Sequence, residues 1–471
     1  MKHKLLTACL VTGMLTPALA SANPEPTAYD SRSIGMGLTG VTYLDRPAAL
    51  VLNPANLDGI EKLGFTVNFT ALFTNQRAPV AGPNTVVDSG VGLGPIPAGF
   101  IAGRIAPRVV FAGGIYIETG YGSSFSNVRC VDGDPVGPGP PPEPGYAPST
   151  PPGCTSPEPQ NLDVTFFVGE FSAGFSFRVH EKFLLGMALR LPFSKQVSDL
   201  YQNVGAVFDT VSYQNVKNNI GGVGFPSPRF GFTIKPHRKV RISAMYRMYS
   251  KIKLTGSTET ILGGSSLDLD ASADWFIPHA IHFGVSYQAN SHLLLAFEVR
   301  AQFHGADKTG NKNQTVTTDG TGLDPIVVPF GWQNSWSLKI GFEYRFKKDF
   351  IALRLGTNIA NSATTGEFAQ YFTPPPTAFN FSTGSAGLGF YWKDRNDPSI
   401  KDKYQLDLAG LFSSTGKTFG NEYIGTTAQV PGTNPPQEVV LCSDGQVVRT
   451  GCPGKYRVRS YWASVSFTLQ Y

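Results

Sequence analysis

Charge is scarce in this sequence. Only 15% of its residues are Asp, Glu, Lys or Arg, against about 25% in a soluble globular protein. Long apolar runs are missing too. Beyond residue 20 no stretch of about 18 apolar residues occurs, which excludes transmembrane helices. Histidine is rare, and none stands at ligand spacing from a cysteine pair, so no metal site and no cofactor are expected. Lys and Arg do not cluster, and the net charge is only +5, which argues against a nucleic-acid partner. No ATP-binding or energy-coupling box is present. Low charge without a spanning helix leaves a transmembrane β-barrel or a large secreted β protein.

What is there begins with an export signal over residues 1–20. Lys2 and Lys4 form its basic region, Leu5 to Leu19 its apolar region, and Ala18-Leu19-Ala20 its cleavage site. Leu6-Thr7-Ala8-Cys9 has the form of a lipoprotein cleavage box, but cutting there would truncate the apolar region after a few residues. Cys9 then leaves with the signal. Cys130 and Cys154, and Cys442 and Cys452, remain as two local pairs, read as two disulfides in an exported protein.

The last fifteen residues alternate. Tyr461, Ala463, Val465, Phe467, Leu469 and Tyr471 fall on one face. Trp462, Ser464, Ser466, Thr468 and Gln470 fall on the other. An aromatic residue ending the apolar face is what a closing barrel strand carries. Strands with similar character are expected at 62–72, 97–106, 108–120, 163–179, 182–194, 227–235, 239–256, 275–289, 291–304, 333–346, 349–361, 380–392, 403–414 and 457–471, about fourteen in all. Tight turns such as Ala106-Pro107-Arg108, His180-Glu181 and Asn290-Ser291 alternate with long segments. Short turns on one side and long loops on the other are the outer-membrane barrel pattern, with the short side periplasmic. The fold class expected is therefore all-β, an antiparallel transmembrane barrel over 61–471. Residues 21–60 are not strand-like and are read as a plug, or hatch, inside it. Their Gly35-Met36-Gly37-Leu38-Thr39-Gly40 run matches a dinucleotide fingerprint only formally, because no strand precedes it. Glycines permitting tight backbone packing is the better reading.

Parity also assigns the two faces. Trp336, Leu338, Ile340 and Phe342 oppose Lys339, Glu343 and Arg345, and the apolar set is expected to face lipid. Trp275, Trp336, Trp392 and Trp462, near strand ends, suit interfacial girdles. Inward parity collects Arg104, Arg178, Arg190, Arg229, Lys235, Arg241, Arg247, Lys339, Arg345 and Arg354 with Glu118, Glu170, Glu298, Glu343 and Asp407. Most of these should pair with one another and with the plug, leaving a surplus of cation. Phe100, Val110, Tyr116, Phe166, Val168, Met245 and Tyr249 share that parity, so the lumen is partly apolar. Either they pack on the plug, or they accept a hydrophobic molecule.

These features resemble the FadL family of outer-membrane transporters for long-chain fatty acids and other hydrophobic compounds, TodX-like aromatic-hydrocarbon channels included. The likeness runs from Ser33-Ile34-Gly35-Met36-Gly37 and Asn53-Pro54-Ala55 through Gly113-Gly114-Ile115-Tyr116, Tyr246-Arg247, and Ile277-Pro278 with Phe283-Gly284-Val285-Ser286-Tyr287. The resemblance implies a bacterial outer-membrane location, insertion by the barrel-assembly machinery into outer-membrane lipid, and passive uptake of a hydrophobic small molecule. It implies capture in a loop groove formed by 195–226 and 257–274, with Phe208, Val211, Ile220, Phe225, Ile261 and Leu262 as candidates. Internal binding would involve Arg247, Tyr249, Tyr116, Phe166, Val168 and Phe100, with Arg247 meeting an acidic head group. Exit would be sideways through a wall gap at a kink in the third strand, where Gly113, Gly114, Gly120 and Gly122 lie. Asn53, Pro54 and Ala55, with Gly35 and Gly37, would form the hatch beside that gap. The two loop cysteine pairs and the Pro-rich segment 131–160 depart from the family pattern. The competing readings are a structural or adhesive barrel and a lipid hydrolase. The second lacks a G-x-S-x-G context, and His279 and His282 fall on opposite strand faces, so no enzyme is expected.

Overall fold

The computed structural model describes residues 29–80, 86–128, 160–203, 213–262, 265–319, 326–346, 350–361, 363–365, 367–368, 381–392, 403–419, 427–429, 432, 436, 438–440 and 454–471. The expected signal peptide lies outside them, as do Cys130, Cys154, Cys442, Cys452, Phe208 and Val211.

The strands are β1 (Leu63–Ala78), β2 (Val87–Asp88), β3 (Gly92–Ala106), β4 (Val109–Val128), β5 (Gln160–His180) and β6 (Phe183–Asn203). Then come β7 (Tyr213–Val223), β8 (Ser227–His237), β9 (Val240–Arg247), β10 (Ser250–Leu262), β11 (Ser265–Ile277) and β12 (Ala280–Gln288). β13 (Leu293–Gln302), β14 (Asn313–Thr318), β15 (Ile326–Pro329), β16 (Ser335–Phe346), β17 (Ile351–Ala360) and β18 (Phe381–Trp392) follow. The last are β19 (Tyr404–Phe419), β20 (Thr427–Gln429), β21 (Glu438–Val440) and β22 (Gly454–Gln470).

Antiparallel pairing closes the wall at fourteen positions. The segments β7 and β8 share one position, as do β9 and β10, β11 and β12, β13 and β14, and β15 and β16, because the two members of each pair border the same neighbouring positions in turn. Closure comes from β22, which pairs with β1 from Gly64↔Gln470 to Arg77↔Arg457 and with β19 on its other side. The expected terminal strand therefore does join the first.

The expected loops 195–226 and 257–274 are largely strand. β6 runs to Asn203, β7 fills 213–223, and the β10–β11 hairpin covers most of the second segment. Beyond the apolar belt these strands are polar on both faces, as in Lys217-Asn218-Asn219 and Thr258-Glu259, so no period of two marks them.

Burial is inverted relative to a soluble sheet. In β22 the polar set Ser464, Ser466 and Thr468 is buried, while Tyr461, Val465 and Phe467 are exposed. The same holds in β1, where Thr66, Asn68 and Thr70 are buried and Phe65, Val67 and Phe69 are exposed. Parity, not closeness to a strand end, decides which way a tryptophan points. Trp336 and Trp392 face outward, but Trp275 and Trp462 are 4% and 8% exposed and face inward, which corrects the girdle assignment for those two.

The N-terminal residues 29–60 form short turns rather than strands. A one-turn helix, Ser31–Gly35, is capped by Asp30, whose side chain accepts from the amides of Arg32 and Ser33. A second turn, Ala49–Leu52, leads to a 3₁₀ turn, Pro54–Gly59, capped by Asn53. The segment is buried against the inward faces of strands all round the barrel. Ser31 N donates to Ser466 Oγ (2.7 Å), Gly37 N to Ser385 Oγ (2.9 Å), and Gly40 N and Val41 N to Glu298 Oε1 (2.6 and 2.7 Å). Lys339 Nζ donates to Leu38 O at 3.0 Å.

Here the glycine reading of the Gly35–Gly40 run fits. Gly37 has φ +72°, and a Cβ there would lie 2.5 Å from Thr357 N and 2.7 Å from Ile340 O. Gly37→Ala is expected to lower stability by roughly 1–3 kcal/mol, from left-handed strain plus displaced backbone. Thermal unfolding of the purified barrel, compared with Gly384→Ala in open space, checks this.

Candidate functional site

Three features lie along one side of the wall: an ion cluster, a packed aromatic cluster, and a place where two strands part.

The ion cluster is built from consecutive strands. Register sets Tyr116 of β4 opposite Glu170 of β5, and Arg229 of β8 opposite Arg247 of β9. Two guanidiniums directly opposite repel unless an anion stands between them. Glu118 supplies it. The β4–β5 register shifts between Ile117 and Thr119, and Glu118 is the extra residue of that bulge. Its carboxylate pairs with Arg247 Nη1 and lies 3.8 Å from Arg229 Nη2. Glu170 takes Arg190 Nη1 at 2.5 Å and lies 3.7 Å from Arg229 Nη2. Tyr116 donates to Glu170 and accepts from Arg229 Nη1 at 3.2 Å. Arg190 also donates to Ser227 Oγ and Met248 O, and Arg247 Nη2 donates to Pro278 O at 3.0 Å. The N-terminal segment joins through Tyr29, whose hydroxyl donates to Glu118 Oε2 at 2.8 Å. Burial and the adjacent Glu118 carboxylate push the Tyr29 phenol well up, so it remains a donor. Three arginines against two glutamates leave one surplus positive charge, and all five are buried.

Next to this cluster is a packed apolar cluster. Phe166 and Val168 of β5 meet Ile252 of β10, Trp275 of β11, and Phe330 and Trp332 of the β15–β16 connection. Phe166 and Trp275 have ring centroids 4.5 Å apart, Trp275 meets Trp332 edge-on at 5.6 Å, and Phe330 stacks on Trp332 at 5.1 Å. Such rings form a large apolar surface with directional packing.

The third feature is in the wall. Pairing of β3 with β4 runs from Ala106↔Val109 to Ala98↔Tyr116 and ends there. Gly92 to Pro97 continue on β1 alone, and β4 beyond Tyr116 continues on β5 alone. Pro95 and Pro97 carry no N–H, and the Glu118 bulge turns β4 away, so both strands contribute to the parting. Below it, the outer face has an almost wholly apolar depression of about 610 Å³, lined among others by Gly99, Ile101, Gly113, Ile115, Phe171 and Leu189. Gln76 of β1 reaches past β3 to donate to Gly122 O at 2.8 Å.

Superposition on known structures decides the architecture. The barrel aligns with a Pseudomonas aeruginosa FadL homologue at a TM-score of 0.69 and 14% identity, over 96% of this chain and 99% of that one. It has the FadL fold. The Ralstonia pickettii toluene transporter TbuX aligns at 0.66 and 15% identity, over 94% and 99% of the two chains. The P. putida toluene transporter TodX aligns at 0.64 and 16%, with the same coverage. No protein-family model and no curated protein matches the sequence.

Within this FadL fold the expected site residues separate into groups. Arg247 and Tyr116 meet in the ion cluster, and Phe166 and Val168 meet in the packed aromatic cluster. Phe100 instead packs on Tyr116 and on the N-terminal segment's apolar residues. Tyr249 stands apart, half-buried against His279 at 5.1 Å, because the strand breaks at Met248–Tyr249 and inward parity is interrupted. Of the kink glycines, Gly113 and Gly114 lie within the intact ladder, and Gly114 makes room for the Phe100 ring. Gly120 and Gly122 follow the bulge. The Asn53-Pro54-Ala55 turn is not at the parting. It docks on β5, β6 and β8, where Ser176 Oγ donates to Ala55 O (2.9 Å) and Asn53 Nδ2 to Thr233 Oγ1 (3.0 Å), because Gly186 and Gly231 leave space there. Of the groove candidates, Ile220 is buried in the aromatic cluster and Phe225 is exposed outside. For Ile261 and Leu262 only the backbone is described.

Sequence reading missed Trp275, Phe330 and Trp332 as residues of the aromatic cluster. Trp275 was legible, since Ala273 and Ile277 share its parity. Phe330 and Trp332 lie in a connection with no period to read.

Proposed function

We propose that this chain is a channel in a bacterial outer membrane that passively admits hydrophobic small molecules, and that it is not an enzyme. The parting of β3 and β4 beside an aromatic cluster carries the reading. Such a parting gives an apolar solute a side route to lipid, and the apolar outward band supports residence in a membrane. The solute binds among the rings of Phe166, Trp275, Phe330 and Trp332, which move apart to admit it, passes the ion cluster, and leaves between β3 and β4. Residues 29–60 act as the plug that denies this path to water and ions.

An aromatic or other uncharged hydrocarbon is the first ligand class. The lining is aromatic, and Arg247 is already engaged by Glu118. A long-chain fatty acid is the second, favoured by the surplus guanidinium in the Arg190–Arg229–Arg247 cluster, which would receive its carboxylate. Uptake of labelled toluene and labelled oleate by cells whose only such channel is this protein tests both. Toluene uptake indifferent to Arg247→Ala supports the hydrocarbon. Oleate uptake that falls in that variant supports the acid. Uptake of neither by correctly inserted protein contradicts the transport reading and leaves the structural or adhesive one.

A further inference from the structure

The seam where β22 joins β1 and β19 carries an unusual outer surface. Phe73, Tyr461 and Phe412 form one outward row across the three strands, with the Phe412 and Tyr461 rings 5.0 Å apart. One outward step further toward the long connections, about 7 Å at two residues per step, the row is Asn75, Arg459 and Ser414. The next is Arg77, Arg457 and Gly416, and Lys455 follows beside Thr418.

Arg77 and Arg457 are thus direct cross-strand partners, an arrangement that like charges disfavour. Arg459 stands one step away. Among the described residues the carboxylate that meets them is Asp88, 2.9 Å from Arg77 Nε. Four cations (Arg77, Lys455, Arg457, Arg459) against one anion leave a surplus of three. Elsewhere on the outer face the balance differs, for Lys251 lies 2.6 Å from Asp274. Among the described residues, guanidiniums in excess of carboxylate stand just above an aromatic row, which suits an anion that is itself tied to an apolar body.

We infer that this seam binds the phosphate groups of a phosphorylated glycolipid in the surrounding leaflet. Its acyl chains lie along Phe73, Phe412 and Tyr461, and its phosphates sit in the guanidinium forks of Arg77, Arg457 and Arg459. Planar guanidiniums suit phosphate because two N–H groups meet two oxygens at once. The seam is at the end carrying the long connections 79–91 and 420–453, the extracellular side of an outer-membrane barrel. The inference rests on the membrane reading, which fractionation of expressing cells tests separately. It is independent of what passes through the interior.

The test is binding of bis-phosphorylated lipid A, its monophosphorylated form, the phosphate-free glycolipid and inorganic phosphate to the purified chain in detergent, read by native mass spectrometry. Arg77→Gln/Arg457→Gln/Arg459→Gln is compared with the charge-retaining triple Lys variant, each checked for heat-modifiable gel migration as evidence of a folded barrel. The expected result is affinity falling with phosphate number, a loss of about ten-fold or more in the triple Gln variant, and a smaller loss in the triple Lys variant. Equal binding of bis-phosphorylated lipid A by wild type and the triple Gln variant overturns the inference. So does wild-type binding of the phosphate-free glycolipid or of inorganic phosphate as tight as that of lipid A.

Discussion

Filling the depression below the parted strands stops uptake while leaving the barrel folded. The proposed variant is Gly99→Trp with Gly113→Trp. Both positions tolerate a side chain: a Cβ at Gly99 meets nothing within 4 Å, and one at Gly113 comes no closer than 3.7 Å, to Ser172 O. Two indoles there occupy much of a space of about 610 Å³ and cover the wall just below the last β3–β4 pair. Uptake of labelled toluene is expected to fall to the background of cells lacking the protein. Gly384→Trp is the control, since it also opens into free space on the outer face but on β18, away from the parting. Its uptake should match wild type. If the double variant transports as well as the control, the solute does not leave by this side.

The second large effect is expected from Glu343→Ala, which unties the N-terminal segment. Glu343 accepts from Arg32 Nε and Nη2, both at 2.8 Å, and from Arg354 Nε at 2.7 Å, with Arg345 Nε 3.4 Å away. The chain of charges continues through Arg354 Nη1 to Asp407 at 2.7 Å, on to Arg46 at 2.6 Å, and ends at Asp30. Thus charge sign alternates along the chain, in which Arg32 of the N-terminal segment stands at one end, Arg46 and Asp30 of that segment at the other, and the wall's Glu343, Arg354 and Asp407 between them. Removing one buried partner leaves charge without compensation, which costs about 3–5 kcal/mol. Glu343→Gln should lose less, because it keeps one acceptor oxygen. Thermal unfolding gives the stability. If residues 29–60 plug the barrel, entry of a small hydrophilic antibiotic into expressing cells should rise in Glu343→Ala. Unchanged permeability together with unchanged stability would count against residues 29–60 as an ion-anchored plug.

Much of the architecture was legible because a barrel wall repeats one rule. Alternation in Trp336 to Phe346 and in Arg457 to Tyr471 gave both the strands and their faces, and inward parity correctly collected Glu118, Glu170, Arg190, Arg229, Arg247, Glu343 and Asp407. Alternation fails where a strand leaves the apolar belt, which is why β7 and the β10–β11 hairpin read as loops. It also fails at irregularities. The bulge at Glu118 and the break at Met248–Tyr249 each reset the face by one residue, so Tyr249 was placed inward when it packs on His279. Pairing partners are not local properties. Nothing in the third strand alone shows that its neighbour stops pairing at Ala98, although Pro95 and Pro97 were visible as residues unable to donate. Likewise Asn53-Pro54-Ala55 reads as a turn, but its docking place is set by Gly186 and Gly231, far away in the chain.

On the proposed function, a hydrophobic molecule binds among the aromatic residues of the cluster inside the wall. The direct measurement is photocrosslinking in intact outer membranes with an apolar, ring-sized diazirine probe, followed by peptide mapping. Label is expected on Phe166, Trp275, Phe330 and Trp332, displaced by excess toluene. Label confined to outward residues such as Phe171 and Leu189, and insensitive to competitor, would contradict it.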